Sequence, residues 1–82
     1  MLFAVLFSII PERTADAFEE IKKIKVPQDV LVKSIFAVFG KHDIMIIYDA
    51  ANEQVSLDFI ADLRKIGGII DTETFTLLEI HR

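Results

Sequence analysis

The stretch Phe39-Gly40-Lys41-His42-Asp43-Ile44-Met45-Ile46-Ile47-Tyr48 decides how this chain is read. A long apolar run ends at Gly40, three polar residues follow, and a second apolar run begins at Ile44. Gly40 adopts positive φ at low cost, so a reversal of the chain is cheap there. Two β-prone segments joined by a short glycine-containing turn predict a hairpin. The expectation is that this hairpin forms the centre of a sheet and that its loop is the first candidate for a functional site.

On its N-terminal side, Val30 to Phe39 reads as the strand that enters the hairpin. Strict alternation would put Val30, Val32, Ser34, Phe36 and Val38 on one face, and Leu31, Lys33, Ile35, Ala37 and Phe39 on the other. Neither face is polar. Met1 to Ile9 has the same character, with Leu2/Ala4/Leu6/Ser8 opposite Phe3/Val5/Phe7/Ile9. A strand that is apolar on both sides belongs inside a sheet and is covered on both faces. Between these strands the period changes to that of a helix over Pro11 to Ile24, with Ala17, Phe18, Ile21 and Ile24 on one face. Pro11 suits a first helical turn and Thr14 is an alternative cap. Val26-Pro27-Gln28-Asp29 connects to the next strand, because proline disfavours helix at the residue before it.

On the C-terminal side, Ile44 to Tyr48 is the returning strand, and Asn52 is placed to cap a second helix. Val55, Phe59, Ile60, Leu63 and Ile66 form its apolar stripe. Gly67-Gly68 ends it, one of the pair serving as the left-handed residue after the helix. Ile69 to Ile80 is the last strand, with Thr72, Thr74 and Thr76 alternating against Asp71, Glu73 and Phe75. The order β-α-β-β-α-β with right-handed crossovers predicts a ferredoxin-like α+β domain over residues 1–82. It has a four-stranded antiparallel sheet with both helices on one face. The other face, apolar in the first three strands, calls for a second copy, giving a symmetric dimeric α+β barrel.

Composition narrows the function. A chain of 82 residues that is 52% hydrophobic is a single folded domain. Nine basic against thirteen acidic residues, a formal charge of −4, argue against direct nucleic-acid binding, which depends on neutralising phosphates. The absence of cysteine excludes disulfides, thiolate catalysis and cysteine-type zinc sites. The apolar opening lacks the basic start of a signal peptide and is shorter than the ~20 residues of a spanning helix. A cytoplasmic protein is the resulting expectation. The only histidines are His42 and His81, no hydrolase or phosphate-loop motif occurs, and no cofactor is called for. Catalytic residues are therefore not assigned, and His42 with Asp43 offers too few ligands for a metal. Lys41-His42-Asp43 reads either as a solvated turn or as a ligand site in which Asp43 offers a carboxylate to an ammonium group. Thr72 and Thr74 read either as ordinary strand residues or as hydroxyls turned into a polar pocket.

Taken together, Phe39 to Ile46, Phe59-Ile60, Arg64 to Ile69 and Thr72-Glu73-Thr74 resemble the effector domain of Lrp/AsnC regulators, the regulation-of-amino-acid-metabolism domain. That pattern has a Gly-x-Tyr-Asp turn before the third strand, then a helix with a Pro-Gly-Val-type exit. A Ser/Thr-x-Thr start to the last strand completes it. Here His42 stands in place of Tyr, Gly67 in place of Pro, and the segment Ile24 to Phe39 is a few residues longer. The family's helix-turn-helix half does not precede the domain in this sequence. The resemblance implies a non-enzymatic, stand-alone effector module that pairs through its sheet and assembles further into rings. One hypothesis for its action is co-assembly with a full-length regulator of that family through matching sheets. An amino acid or similar metabolite would bind at Gly40, His42, Asp43, Thr72 and Thr74. The competing readings are a small dimeric α+β barrel enzyme, for which Tyr48 and Ser34 would have to line a polar cavity, and a structural oligomerisation module without a ligand.

Overall fold

The computed structural model describes residues 1–80. Its elements follow in the expected order: β1 (Leu2–Ile9), a 3-10 turn (Pro11–Arg13), α1 (Thr14–Lys22), β2 (Val30–Ala37), β3 (Ile44–Ala50), α2 (Glu53–Leu63) and β4 (Ile69–Leu77). The strands form one antiparallel sheet in the order β2-β3-β1-β4, the ferredoxin-like α+β arrangement. This corrects the expectation that the hairpin is central. The crossover through α1 carries the chain past the place later taken by β3, so β1 and β3 lie inside and β2 is an edge.

Register sorts the side chains. Phe3, Val5, Phe7 and Ile9 of β1 share a face with Ile44, Ile46, Tyr48 and Ala50 of β3, and all are buried beneath the helices. Ala17 and Ile21 of α1 and Phe59, Ile60 and Leu63 of α2 close that core. Tyr48 is fully buried in it, stacked on Phe3 at 5.5 Å and met edge-on by Phe59 at 4.9 Å. Full burial of each such aromatic contributes on the order of 1.5–3 kcal/mol. Its hydroxyl is bonded to Ser56 Oγ at 2.7 Å, so the polar end is satisfied, and burial pushes the phenol's pKa up.

Strict alternation in β2 does not hold. The register against β3 shifts between Val32 and Ser34, a bulge at Lys33. Val30, Val32, Ile35 and Ala37 therefore face the helices, whereas Leu31, Ser34 and Phe36 face away, opposite Asp49, Ile47 and Met45. An extra residue in one strand re-aims every side chain beyond it. Lys33 reaches Asp49 at 3.3 Å.

The ends of α2 follow expectation and the start of α1 does not. Asn52 caps α2, its Oδ1 accepting from Val55 N at 2.9 Å. Thr14 instead donates to the Pro11 and Ile10 carbonyls, and no side chain caps α1. Helix α2 stops at Leu63, and Gly68, with φ +99°, turns the chain into β4 several residues later. A Cβ there would lie 2.5 Å from Arg13 Cβ, so glycine is required by both φ and space. The last strand ends at Leu77, and His81 lies outside the described residues.

Candidate functional site

The loop between β2 and β3 is built by the backbone at one end of the sheet. Val38 N donates to Asp43 O at 2.9 Å, closing the loop, and Asp43 N donates to Phe7 O at 2.9 Å. Beyond Ile44 the loop peels away from β1, and the ladder would otherwise stop. The Asp43 carboxylate extends it by one bond, Oδ2 accepting from Ile9 N at 2.7 Å. Asp43 is thus first a structural acceptor. Gly40 sits at the exposed tip with φ +155°, and a Cβ added there would meet open space. Phe39 beside it is 99% exposed.

His42, beside a tip that is otherwise exposed, is only 7% exposed. Its Nδ1 lies 3.1 Å from Ser8 Oγ and its Nε2 lies 3.0 Å from Glu73 Oε1. Ser8 Oγ also donates to Lys41 O at 3.2 Å. The hairpin loop is thereby tied to β1 and, across it, to β4. Ser8 and Glu73 are the two members that sequence reasoning missed. They lie 34 and 31 residues from His42, and only the pairing of Leu6 with Glu73 and Ser8 with Asp71 brings them together.

The five residues expected at the site do not share one pocket. Ser8 and Glu73, and with them His42, belong to the face away from the helices. Thr72 and Thr74 pair with Phe7 and Val5, which puts them on the helix side of the sheet. Thr72 is partly buried and Thr74 is exposed. Gly40, His42 and Asp43 are brought together by the loop, and the threonines lie across β1 on the opposite face.

Ser8, His42 and Glu73 have the residue types of a nucleophilic relay, and the one hydroxyl hydrogen of Ser8 has two acceptors in reach, Lys41 O at 3.2 Å and His42 Nδ1 at 3.1 Å. An apolar cavity of about 250 Å³ lies between α1 and β2, lined by Phe18, Ile21, Ile35 and Ile44 among others. A second, of about 360 Å³, lies at the other end of β2 near Asp29 and Asp49. Neither is lined by Tyr48, Ser34 or the loop residues. Among the described residues no three His, Asp or Glu side chains are placed to hold a metal, and no helix is long and apolar enough to cross a membrane.

The other feature with functional weight is the uncovered sheet face. Leu2, Ala4 and Leu6 of β1, Met45 and Ile47 of β3, Leu31 and Phe36 of β2, and Phe75 and Leu77 of β4 make it largely apolar, with Ser34, Asp49, Asp71 and Glu73 on the same face. Leu31 is 62% exposed, Phe36 45% and Phe75 43%.

This architecture is shared with solved structures. FFRP-DM1 superposes with a TM-score of 0.74 over 95% of this chain and 100% of its own, at 20% identity. PHS023, a hypothetical protein from Pyrococcus horikoshii, superposes with a TM-score of 0.70 over 99% of this chain and 95% of its own, at 23% identity. MtbAldR matches with a TM-score of 0.75 at 10% identity, over 99% of this chain but 53% of its own length. At these identities the likeness establishes the fold. No protein-family model matches the sequence, and no curated protein matches it significantly.

Proposed function

We propose that this chain is a non-enzymatic effector module of the Lrp/AsnC type, one that self-associates through its open sheet face and binds a small metabolite, an amino acid above all. The observation that carries the reading is the largely apolar sheet face, which the chain's own helices leave uncovered. Patches beyond a few hundred Å² are uncommon on monomers, and an antiparallel sheet of this kind is covered most simply by a two-fold copy of itself. The fold shared with FFRP-DM1, whose initials denote a feast/famine regulatory protein, and with MtbAldR supports a regulatory role. Co-assembly with a full-length regulator would use the same face.

The ligand site in this reading is the hairpin loop. Asp43 Oδ2 is held by Ile9, and Oδ1, which makes no hydrogen bond among the described residues, is available to an ammonium group. Gly40 lets a carboxylate approach the main chain. Because Thr72 and Thr74 lie on the opposite face, they would complete a site from a neighbouring protomer in a ring. Calorimetric titration with an amino-acid panel on the native protein, Asp43→Asn and Thr72→Val tests this. Binding by the native protein and its weakening in both variants is expected. Absence of binding by the native protein refutes it.

A second reading, an oligomerisation module without a ligand, is favoured by one observation. The polar groups of His42 and the Oδ2 of Asp43 are already used inside the protomer. It predicts the same self-association with no heat on titration.

A further inference from the structure

The contacts of His42 can be counted in protons. Ser8 has one hydroxyl hydrogen and two acceptors in reach; when it is given to Lys41 O, the contact with His42 Nδ1 requires a hydrogen on that nitrogen. The ionised Glu73 carboxylate only accepts, so its contact with Nε2 requires a hydrogen there as well. All three contacts hold at once only if the cluster carries one proton more than a neutral imidazole beside a carboxylate. A neutral ring must give up one of them. With the remaining hydrogen on Nε2, facing Glu73, Nδ1 becomes an acceptor. The Ser8 hydroxyl then turns toward it and lets go of Lys41 O.

We propose that Ser8, His42 and Glu73 form a proton-operated latch that ties the hairpin tip to the sheet when protonated and releases it when the extra proton leaves. The element that moves is the segment Phe39 to Lys41, whose carbonyl at Lys41 is held by Ser8 and whose Gly40 leaves the backbone free to turn. Histidine is the side chain whose charge changes most readily between about pH 5 and 8. Among the described residues the charged groups around it are few. Glu73 is bonded to it, Asp71 stands opposite Ser8 on the same strand, and Lys41 and Asp43 flank it in the loop. Asp43 is engaged with Ile9, and Arg13, at the same end of the sheet, lies against Gly67 and Gly68 and pairs with Asp16. A proton binds there with favourable partners on both nitrogens. The latch does not depend on whether the loop binds a metabolite.

The test is nuclear magnetic resonance of the ring nitrogens together with amide exchange, on the full 82-residue chain, with His42→Gln used to separate its signals from those of His81. At the acidic end of a pH series both ring nitrogens of His42 should carry hydrogen, and at the alkaline end the neutral ring should keep its hydrogen on Nε2. Protection of the Val38 and Asp43 amides, which close the loop on Asp43 O and Phe7 O, should fall on the order of fivefold to tenfold between these conditions once corrected for intrinsic exchange. Glu73→Gln and Ser8→Ala should each flatten that difference. If one of these variants does not fold, the other and the nitrogen spectra of the native protein still decide. A neutral ring with its hydrogen on Nδ1, or loop protection that is the same at both pH values, would overturn the proposal. So would an undiminished pH response in Ser8→Ala.

Discussion

Replacing Asp43 by alanine removes the acceptor that continues the β1–β3 ladder past the point where the hairpin loop leaves it. Ile9 N then loses a 2.7 Å charge-assisted bond, at a position where β1 also shifts register against β4 between Ser8 and Ile9. A bond to an ionised partner contributes about 1.5–3 kcal/mol. Asp43 is partly exposed, so water replaces some of what is lost and the lower part of that range applies, about 1.5–2 kcal/mol. In a domain of this size each kcal/mol moves the melting temperature by about 4–8 °C, giving a drop of about 6–16 °C for Asp43→Ala. Asp43→Asn keeps a neutral acceptor and should lose about half as much. Urea unfolding at fixed protein concentration measures the energies, because self-association would otherwise shift the midpoint. Amide exchange at Ile9 locates the effect. Asp43→Ala within 0.5 kcal/mol of the native protein, a margin ~ that of ordinary surface changes, with unchanged exchange at Ile9, would refute the ladder role and leave the carboxylate free for a ligand alone.

Other outcomes follow from the packing. Tyr48→Phe should cost about 1–2 kcal/mol in urea unfolding, because Ser56 keeps a buried hydroxyl without its 2.7 Å partner. Tyr48 is held protonated by burial above its ordinary value near 10, so the unfolded chain ionises first as pH rises. Native stability should be full below about pH 10 and decline above it, and Tyr48→Phe should have a shallower alkaline decline. Gly68→Ala should destabilise by well over 1 kcal/mol, since its Cβ meets Arg13 at 2.5 Å in addition to the strained φ, while Gly40→Ala, in open space, should cost only the backbone strain of about 1 kcal/mol. Parallel melting curves of the two glycine variants decide this, and equal losses would contradict it.

How far the sequence could be read depended on the range of the interaction. The two-sided apolar pattern of β1 placed it inside the sheet, and the stripe Val55–Ile66 identified the buried side of α2, because both signals are local. The faces of β2 were misread beyond Val32, since a bulge shows only in the pairing with β3 and leaves no residue type that marks it. Placing the hairpin at the centre ignored what a right-handed crossover does to strand order. The loop itself was legible from Gly40 and its polar neighbours, and Asp43 stood out as its carboxylate. Its first partner is the main chain of Ile9, a contact that needs the register of two strands 34 residues apart. The alternation of Thr72 and Thr74 was correct, but which face they occupy follows from their pairing with Phe7 and Val5. The same register supplied Ser8 and Glu73 to His42, which no short-range pattern could do.

Light scattering coupled to size-exclusion chromatography at micromolar concentration tests the covered sheet face most directly. The native chain should run at twice its 9.3 kDa mass or a higher even multiple, and Ile47→Lys, which puts a charge on the open face of a central strand, should run as a folded monomer. A native monomer, or an Ile47→Lys variant that assembles like the native protein, would contradict the account.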